Sequence, residues 1–433
     1  MASRGALLAY AGPALALSII GLPLSVQLPT FWAVDMHLGL AGVGFVLSAG
    51  RLFDVVSDPL IGRLSDGWHS RFGRRKPFIL IGLPVAVVGA VGVFFPSSGA
   101  GLVHLLVFNT LLMLGWSLIA LPYQAMGAEL SSDYAERTRI TGWRETLTLL
   151  GVLTSAIIPA VFGVNDPGMT LDILALVTFG LAAPTIAALL LLVRENDVRR
   201  QPTVGWRRAI RTIAANRPFR RLLVAWLING VANGLPATLF LLLVGRLLDA
   251  PDAVGPLLLA YFLAALAGIP LWSWLARLVG KHRSWAWAMM WSCACFAFVP
   301  TLGPHDVWEF LLICVGSGSG LGADLALPPA MQADVVDLDE ADSGEQRAGQ
   351  FFAAWTMAQK GGNALAAGVA FPLLGLAGFN TEGANSGRAM ATLVGLYCIV
   401  PILLKLIAVA LVWGFPIDAA EQRRLRAAIA ARQ

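Results

Sequence analysis

Apolar stretches of about 20 residues, separated by short polar connections, recur along the whole 433-residue chain. A helix needs roughly 20 residues to cross about 30 Å of hydrocarbon. In lipid, every backbone N–H and C=O must find its partner inside the protein. The runs lie near residues 7–33, 39–62, 77–96, 102–128, 140–164 and 172–194, then near 219–247, 253–279, 284–302, 307–333, 350–376 and 389–414. They predict an all-α membrane protein with about twelve transmembrane helices. Only 13% of the residues are charged, about half the share of a soluble domain. A water-soluble globule, a disordered chain and a coiled coil are therefore excluded. The 45 Gly and 24 Pro fit the same picture, because small residues let membrane helices pack closely. The N-terminal run is long enough to span and reads as the first transmembrane helix, not a cleaved signal peptide. Pro23 and Pro29 predict a bend within it.

Charge sets the expected orientation. Alternate connections are basic, with Arg63, Arg71, Arg74, Arg75 and Lys76 in the first, Arg199, Arg200, Arg207, Arg208 and Arg211 in the middle, and Lys281 and Arg283 later. The opposite connections carry few Arg or Lys, with Arg246 and Arg388 as exceptions. The positive-inside rule then puts both termini in the cytoplasm, with the chain in the inner (plasma) membrane. The net charge of +5 comes from residues flanking the spans rather than from one patch, so no nucleic-acid partner is expected. The four cysteines all fall in apolar stretches without a CxxC pattern, which argues against a disulfide framework or a metal site.

The chain also repeats itself. Ala120-Leu-Pro-Tyr-Gln-Ala-Met-Gly-Ala-Glu ends the fourth run, and Ala326-Leu-Pro-Pro-Ala-Met-Gln-Ala-Asp ends the tenth. Acids and an Arg follow each: Asp133, Glu136 and Arg137, then Asp337, Asp339, Glu345 and Arg347. They are expected to cap helices or pair locally. A repeat six spans apart implies two pseudo-symmetric six-helix halves, the plan of many secondary transporters. The expected organisation is residues 1–194 as the N-terminal half and 195–217 as a cytoplasmic Arg-rich linker. Residues 218–414 form the C-terminal half, and 415–433 a cytoplasmic amphipathic tail.

Charges inside the spans carry the functional signal, because an ionised side chain at the bilayer centre costs several kcal/mol and usually finds a partner. The second run holds Arg51, Asp54 and Asp58 on one helix face. Two carboxylates a turn apart repel in low dielectric, so the pair binds a proton or a hard cation such as Na⁺. A structural Arg51–Asp54 pair is the alternative. Lys360, with Thr356 and Gln359 on nearly the same face of the eleventh run, needs a carboxylate. In the fourth run Ser117 is placed to add an oxygen ligand, and Trp116, Tyr123 and Gln124 accompany it. Trp116 either stacks on a substrate ring or packs. Arg144 either binds substrate or pairs with Glu145. Asp324, Asn229 and Asn233 form a second rank, the asparagines as hydrogen-bonding glue between helices. Lys405 is expected to snorkel toward the cytoplasm.

Other classes fit poorly. No HExxH or GxSxG is present, so no catalytic residues are assigned and a membrane-embedded enzyme is disfavoured. Gly316-Ser-Gly-Ser-Gly lacks a following Lys-Ser/Thr, so it reads as a close-packing helix surface and not a phosphate loop. No cofactor is implied beyond Na⁺ or H⁺ as coupling ion, and no metal site beyond Na⁺ at Asp54 and Asp58.

Several motifs converge on one family. Arg51-Leu-Phe-Asp-Val-Val-Ser-Asp-Pro59 is followed by Gly62-Arg-Leu-Ser-Asp66 and Ser70-Arg-Phe-Gly-Arg-Arg-Lys-Pro77. Leu121-Pro-Tyr, Asp133-Tyr-Ala-Glu-Arg137, Gly344-Glu-Gln-Arg347 and Lys360-Gly-Gly follow in order. The chain resembles the melibiose permease-like, or glycoside–pentoside–hexuronide:cation symporter, family of the major facilitator superfamily. The resemblance implies the major facilitator fold and cation-coupled symport of a small organic solute, such as a sugar or sugar acid, by alternating access. It also implies function as a monomer in the lipid bilayer. It puts the cation at Asp54 and Asp58, with Ser57 between them and Ser117 as a hydroxyl ligand, and makes Lys360 the basic partner. Trp116, Gln124, Arg144 and Thr356 fall around the substrate. The sugar-transporting members carry carboxylates in spans one and four. Here residues 1–34 contain no acid, and the span-four position is Ala120, with Gln124 where an aromatic is expected and Ser57 in place of an amide. These departures point to an acidic sugar, another organic anion or a lysolipid on the same fold.

Overall fold

The computed structural model describes residues 4–68, 70–97, 99–130, 134–162, 167–195, 211, 213–343, 348–381, 383–417, 421 and 424. The described residues are almost entirely helical and contain no strand. The long helices are α1 (Arg4–Ile19), α2 (Leu40–Gly67), α3 (Lys76–Phe94), α4 (Leu102–Glu129), α5 (Tyr134–Phe162) and α6 (Pro167–Leu192). They continue as α7 (Arg217–Arg246), α8 (Val254–Val279), α9 (Lys281–Phe296), α10 (Val307–Ser343) and α11 (Ala348–Leu376). The last, α12 (Gly387–Trp413), contains a π-helical turn at Gly395–Ile399.

Eight of these helices are long and apolar enough to cross a membrane: α2, α3, α4, α6, α7, α8, α10 and α12. The other four expected spans are helical but depart from an uninterrupted apolar rod. The first stops at Ile19 and continues as short helices Gly21–Ser25 and Gln27–Thr30 and a π turn Phe31–Asp35. Pro23 and Pro29 lie in this broken stretch, where proline cannot donate the hydrogen bond a continuous helix needs. The ninth run is a 16-residue helix ending in a 3₁₀ turn at Val299–Thr301. Helices α5 and α11 each have 29 residues and carry polar side chains such as Arg144, Glu145, Gln359 and Lys360.

The chain divides into two compact units. The first comprises Met1–Thr203 with Phe371–Leu376 and Asn380–Ala384, and the second the remainder. Inside the first unit α1 packs on α6, α2 on α4, and α3 on both α4 and α6. Inside the second, α7 packs on α12, α8 on α10, and α9 on both α10 and α12. These four pairs of the second unit are those of the first advanced by six helices, so the sequence repeat is in part a repeat of packing. Helix α1 also packs on α5, and α8 packs on α9 more closely than α2 does on α3 among the described residues.

Glycine makes these contacts possible, as expected where helices associate by van der Waals fit and not by escape from water. A Cβ at Gly89 of α3 would run into the backbone of Leu112 on α4, and one at Gly115 into that of Ala86. In the second unit Gly318 and Gly322 press against the carbonyls of Tyr261 and Ala265 on α8. Gly316 and Gly320, on the other side of the same helix, face Cys295 and Ser292 on α9. The Gly-Ser-Gly-Ser-Gly segment is thus a two-sided packing surface wedged between α8 and α9. Helix α11 joins the second unit through Gly362 against the backbone of Gly230. The stacked pair Trp226–Trp355, with centroids 4.6 Å apart, adds to that contact.

Candidate functional site

In the first unit the polar residues of α2 are turned inward. Asp54, Ser57 and Asp58 are all buried, while their neighbours Phe53, Val56 and Leu60 face outward. Ser117 on α4 is 1% exposed. The register between the two helices follows from two close approaches: Gly42 meets Leu102, and Gly50 meets Asn109. The helices therefore run parallel, and continuing two turns at equal rise puts Ser117 level with Asp58. The Ser57 hydroxyl is buried without a hydrogen-bond partner among the described residues. Two carboxylates and two hydroxyls are thus buried on facing helices, and oxygen donors of this kind are hard ligands. Arg51, a turn before Asp54, is half-buried.

The loop from α2 to α3 is clamped to the end of α6. The Glu195 carboxylate accepts the backbone N–H groups of Arg74, Arg75 and Lys76 at 2.6–3.1 Å. These are donors at a helix start, which a carboxylate satisfies by charge as well as by hydrogen bonding. Lys76 Nζ donates to the Leu190 carbonyl at 2.8 Å, and the Arg75 guanidinium to Ser65 Oγ at 2.8 Å. Gly73 permits this with φ +104°, and a Cβ there would strike the Glu195 carboxylate. The second unit has a related contact, Lys281 Nζ to Asp334 at 2.6 and 2.8 Å.

The second unit holds a polar cluster that the sequence ranked low. Asp324 of α10 accepts from Trp285 Nε1 of α9 at 2.5 Å and from Asn233 Nδ2 of α7 at 2.7 Å. Lys405 Nζ of α12 donates to Asn233 Oδ1 at 2.7 Å and Asn229 Oδ1 at 2.9 Å, and stands 3.9 Å from Asp324 Oδ2. Lys405, Asp324, Asn229 and Trp285 are all buried. Lys405 therefore does not snorkel: it points into the bundle, where a carboxylate and two amide oxygens replace water. The asparagines do bond between helices, as their four-residue spacing suggested. What the sequence missed is that Lys405 and Trp285 complete the group. An intramembrane Lys on the last span, paired in type with the acid on α10, was the available signal.

The remaining expected site residues lie on α4, α5 and α11. Tyr123 is buried in the apolar core of the first unit, its ring 4.9 Å from that of Tyr10. Trp116 is half-buried and Gln124 exposed. Arg144 bonds its neighbour Glu145 at 2.6 Å. On α11, Thr356 and Lys360 are half-buried and Gln359 is exposed. Asp133, Glu345 and Arg347, most of the linker and most of the tail lie outside the described residues, as do the side chains of Glu136 and Arg137.

The model of the MFS/sugar transport protein family matches residues 9–419. The chain belongs to this family. It is therefore a membrane transporter of the major facilitator superfamily and not an enzyme. The human sodium-dependent lysophosphatidylcholine symporter 1 is 25% identical over 92% of this chain and 80% of that protein. The inner membrane symporter YicJ of Escherichia coli is 25% identical over 84% of this chain and 81% of its own. The glucuronide carrier protein homolog of the same organism is 24% identical over 88% and 85%. A crystal structure of the nucleoside transporter NupG shares the fold at a TM-score of 0.70 and 12% identity. It covers 94% of this chain and 100% of that one.

Proposed function

We propose that this transporter couples entry of a monovalent cation, Na⁺ or H⁺, to symport of a small organic solute bearing an anionic or strongly polar group. The observation that carries the reading is the burial of Asp54, Ser57 and Asp58 on α2 and of Ser117 on the adjoining α4. Lys360 on α11 serves as the basic partner, and Trp116, Gln124, Arg144, Thr356 and Gln359 are the residues assigned to the solute. Similarity to a carrier homolog and a symporter whose names specify a glucuronide and a lysophosphatidylcholine supports an anionic group in the solute. The chain works as a monomer in the plasma membrane with both termini in the cytoplasm.

A sugar acid is the first solute class. A lysolipid is the second, favoured by the absence of any acid from residues 1–34 and by Ala120 where sugar-binding members carry a carboxylate. The test is thermal stability of the purified protein with and without Na⁺ at two pH values, since a ligand of the native state raises it by mass action. Glucuronate, neutral sugars and lysophosphatidylcholine are added in turn. A cation response that disappears in Asp58→Asn supports the ion site, and an undiminished response overturns it. Lys360→Ala is expected to fold and to lose coupling in vesicle uptake; wild-type uptake kinetics would remove Lys360 from the mechanism.

A further inference from the structure

We propose that Lys405 is a tethered cation: its ammonium fills a cation-binding cage in the second unit formed by Asn229 Oδ1, Asn233 Oδ1 and Asp324 Oδ2. The cage takes no solute ion in the wild-type protein and takes a monovalent cation when the ammonium is removed. The inference rests on the cation-coupled reading given above, which it deepens by assigning ion uptake to the first unit alone.

The geometry is that of an ion in an oxygen site. The two close ligands of Nζ, at 2.7 and 2.9 Å, are neutral amide oxygens, and the carboxylate stands back at 3.9 Å. This is not a direct lysine–carboxylate contact. Neutral oxygen dipoles that replace a cation's hydration shell are also how proteins hold dehydrated alkali ions. The cage is oriented by charge from both ends. Asn233 turns its N–H toward Asp324 and its oxygen toward Lys405, and the reverse orientation would face a donor to an ammonium. Trp285 Nε1 anchors the other carboxylate oxygen. Asn229, with its oxygen committed to Lys405, leaves Nδ2 buried with no acceptor among the described residues. Its amide presents the oxygen to the ammonium and leaves its own N–H over.

The chemical consequence is a fixed charge balance. Asp324 in hydrocarbon needs a positive charge, and a covalently attached one cannot leave. The wild-type protein thus keeps this site neutral at any Na⁺ concentration, and the number of ions moved per cycle is set by Asp54 and Asp58.

The experiment uses the full-length protein in detergent and reads the melting temperature against NaCl, LiCl and KCl at constant ionic strength, with choline chloride as the balancing salt. In the Asp58→Asn background the added change Lys405→Ala is expected to create a saturable stabilisation by at least one alkali cation. The further change Asp324→Asn is expected to abolish it. If Lys405→Ala does not fold without ions, methylammonium or ethylammonium should restore a cooperative melt by refilling the cage. No response to any alkali cation or alkylammonium, in a folded or an unfolded variant, overturns the proposal, as does a response that survives Asp324→Asn. Asp58→Asn alone tests the first unit, so either reading can fail without the other.

Discussion

The two units are built to one packing plan but keep their buried charge in different places. In the first, both carboxylates sit on the second helix, as Asp54 and Asp58-Pro59. The matching stretch of α8 reads Ile269-Pro270 and the whole of α8 has no acid. In the second, the acid beside Lys405 lies on the fourth helix, two residues before the repeated Ala-Leu-Pro, where the first unit has Leu118. Its counter-charge comes from the sixth helix as Lys405. One unit thus carries acids that suit an exchangeable cation, and the other carries an acid with a cation attached to the chain. A common fold fixes which helices touch, and single substitutions at matching positions decide where each unit carries its buried charge.

The widest expected contrast is between two isosteric changes. Asp324→Asn leaves the Lys405 ammonium buried without its carboxylate and should cost about 3–5 kcal/mol of stability, the usual penalty for removing one partner of a buried pair. Asp58→Asn should leave stability within about 1 kcal/mol and abolish the cation response. Denaturation of both variants in the same detergent checks this, and equal losses would erase the distinction between the units.

A smaller effect probes what they share. Gly322→Val in the second unit and Gly89→Val in the first each push a side chain into a neighbouring backbone. Each should destabilise by about 1–3 kcal/mol, the cost of overpacking a tight contact. A large loss at one site and none at the other would show that the plan is shared in outline only.

The smallest effect separates the two loops. Gly73 and Gly280 both have positive φ, +104° and +92°. Alanine at either pays about 1–2 kcal/mol for a left-handed backbone. At Gly73 the new methyl also meets the Glu195 carboxylate, while at Gly280 the nearest atom belongs to His282 at 3.4 Å. Gly73→Ala should therefore lower the melting temperature more than Gly280→Ala, and a reversed order would deny the clamp its role.

The sequence by itself determined the class of fold, the two-fold repeat and the inward face of α2. Those features rest on local rules: the length of helix that crosses hydrocarbon, the cost of an intramembrane charge, and the i, i+4 spacing that puts Asp54 and Asp58 together. The same rules foresaw that the first run is not straight, from Pro23 and Pro29, and the packing use of Gly316-Ser-Gly-Ser-Gly. They gave no means of pairing residues far apart in the chain. Lys405 is 81 positions from Asp324 and 172 from Asn233, and hydropathy treats a lysine near a span end as free to reach water. Only the packing of α7, α9, α10 and α12 turned it inward and gave it three oxygens. Tertiary structure likewise committed Tyr123 to the core beside Tyr10. The choice between packing and binding depends on which helix lies opposite, and one helix's sequence does not contain that.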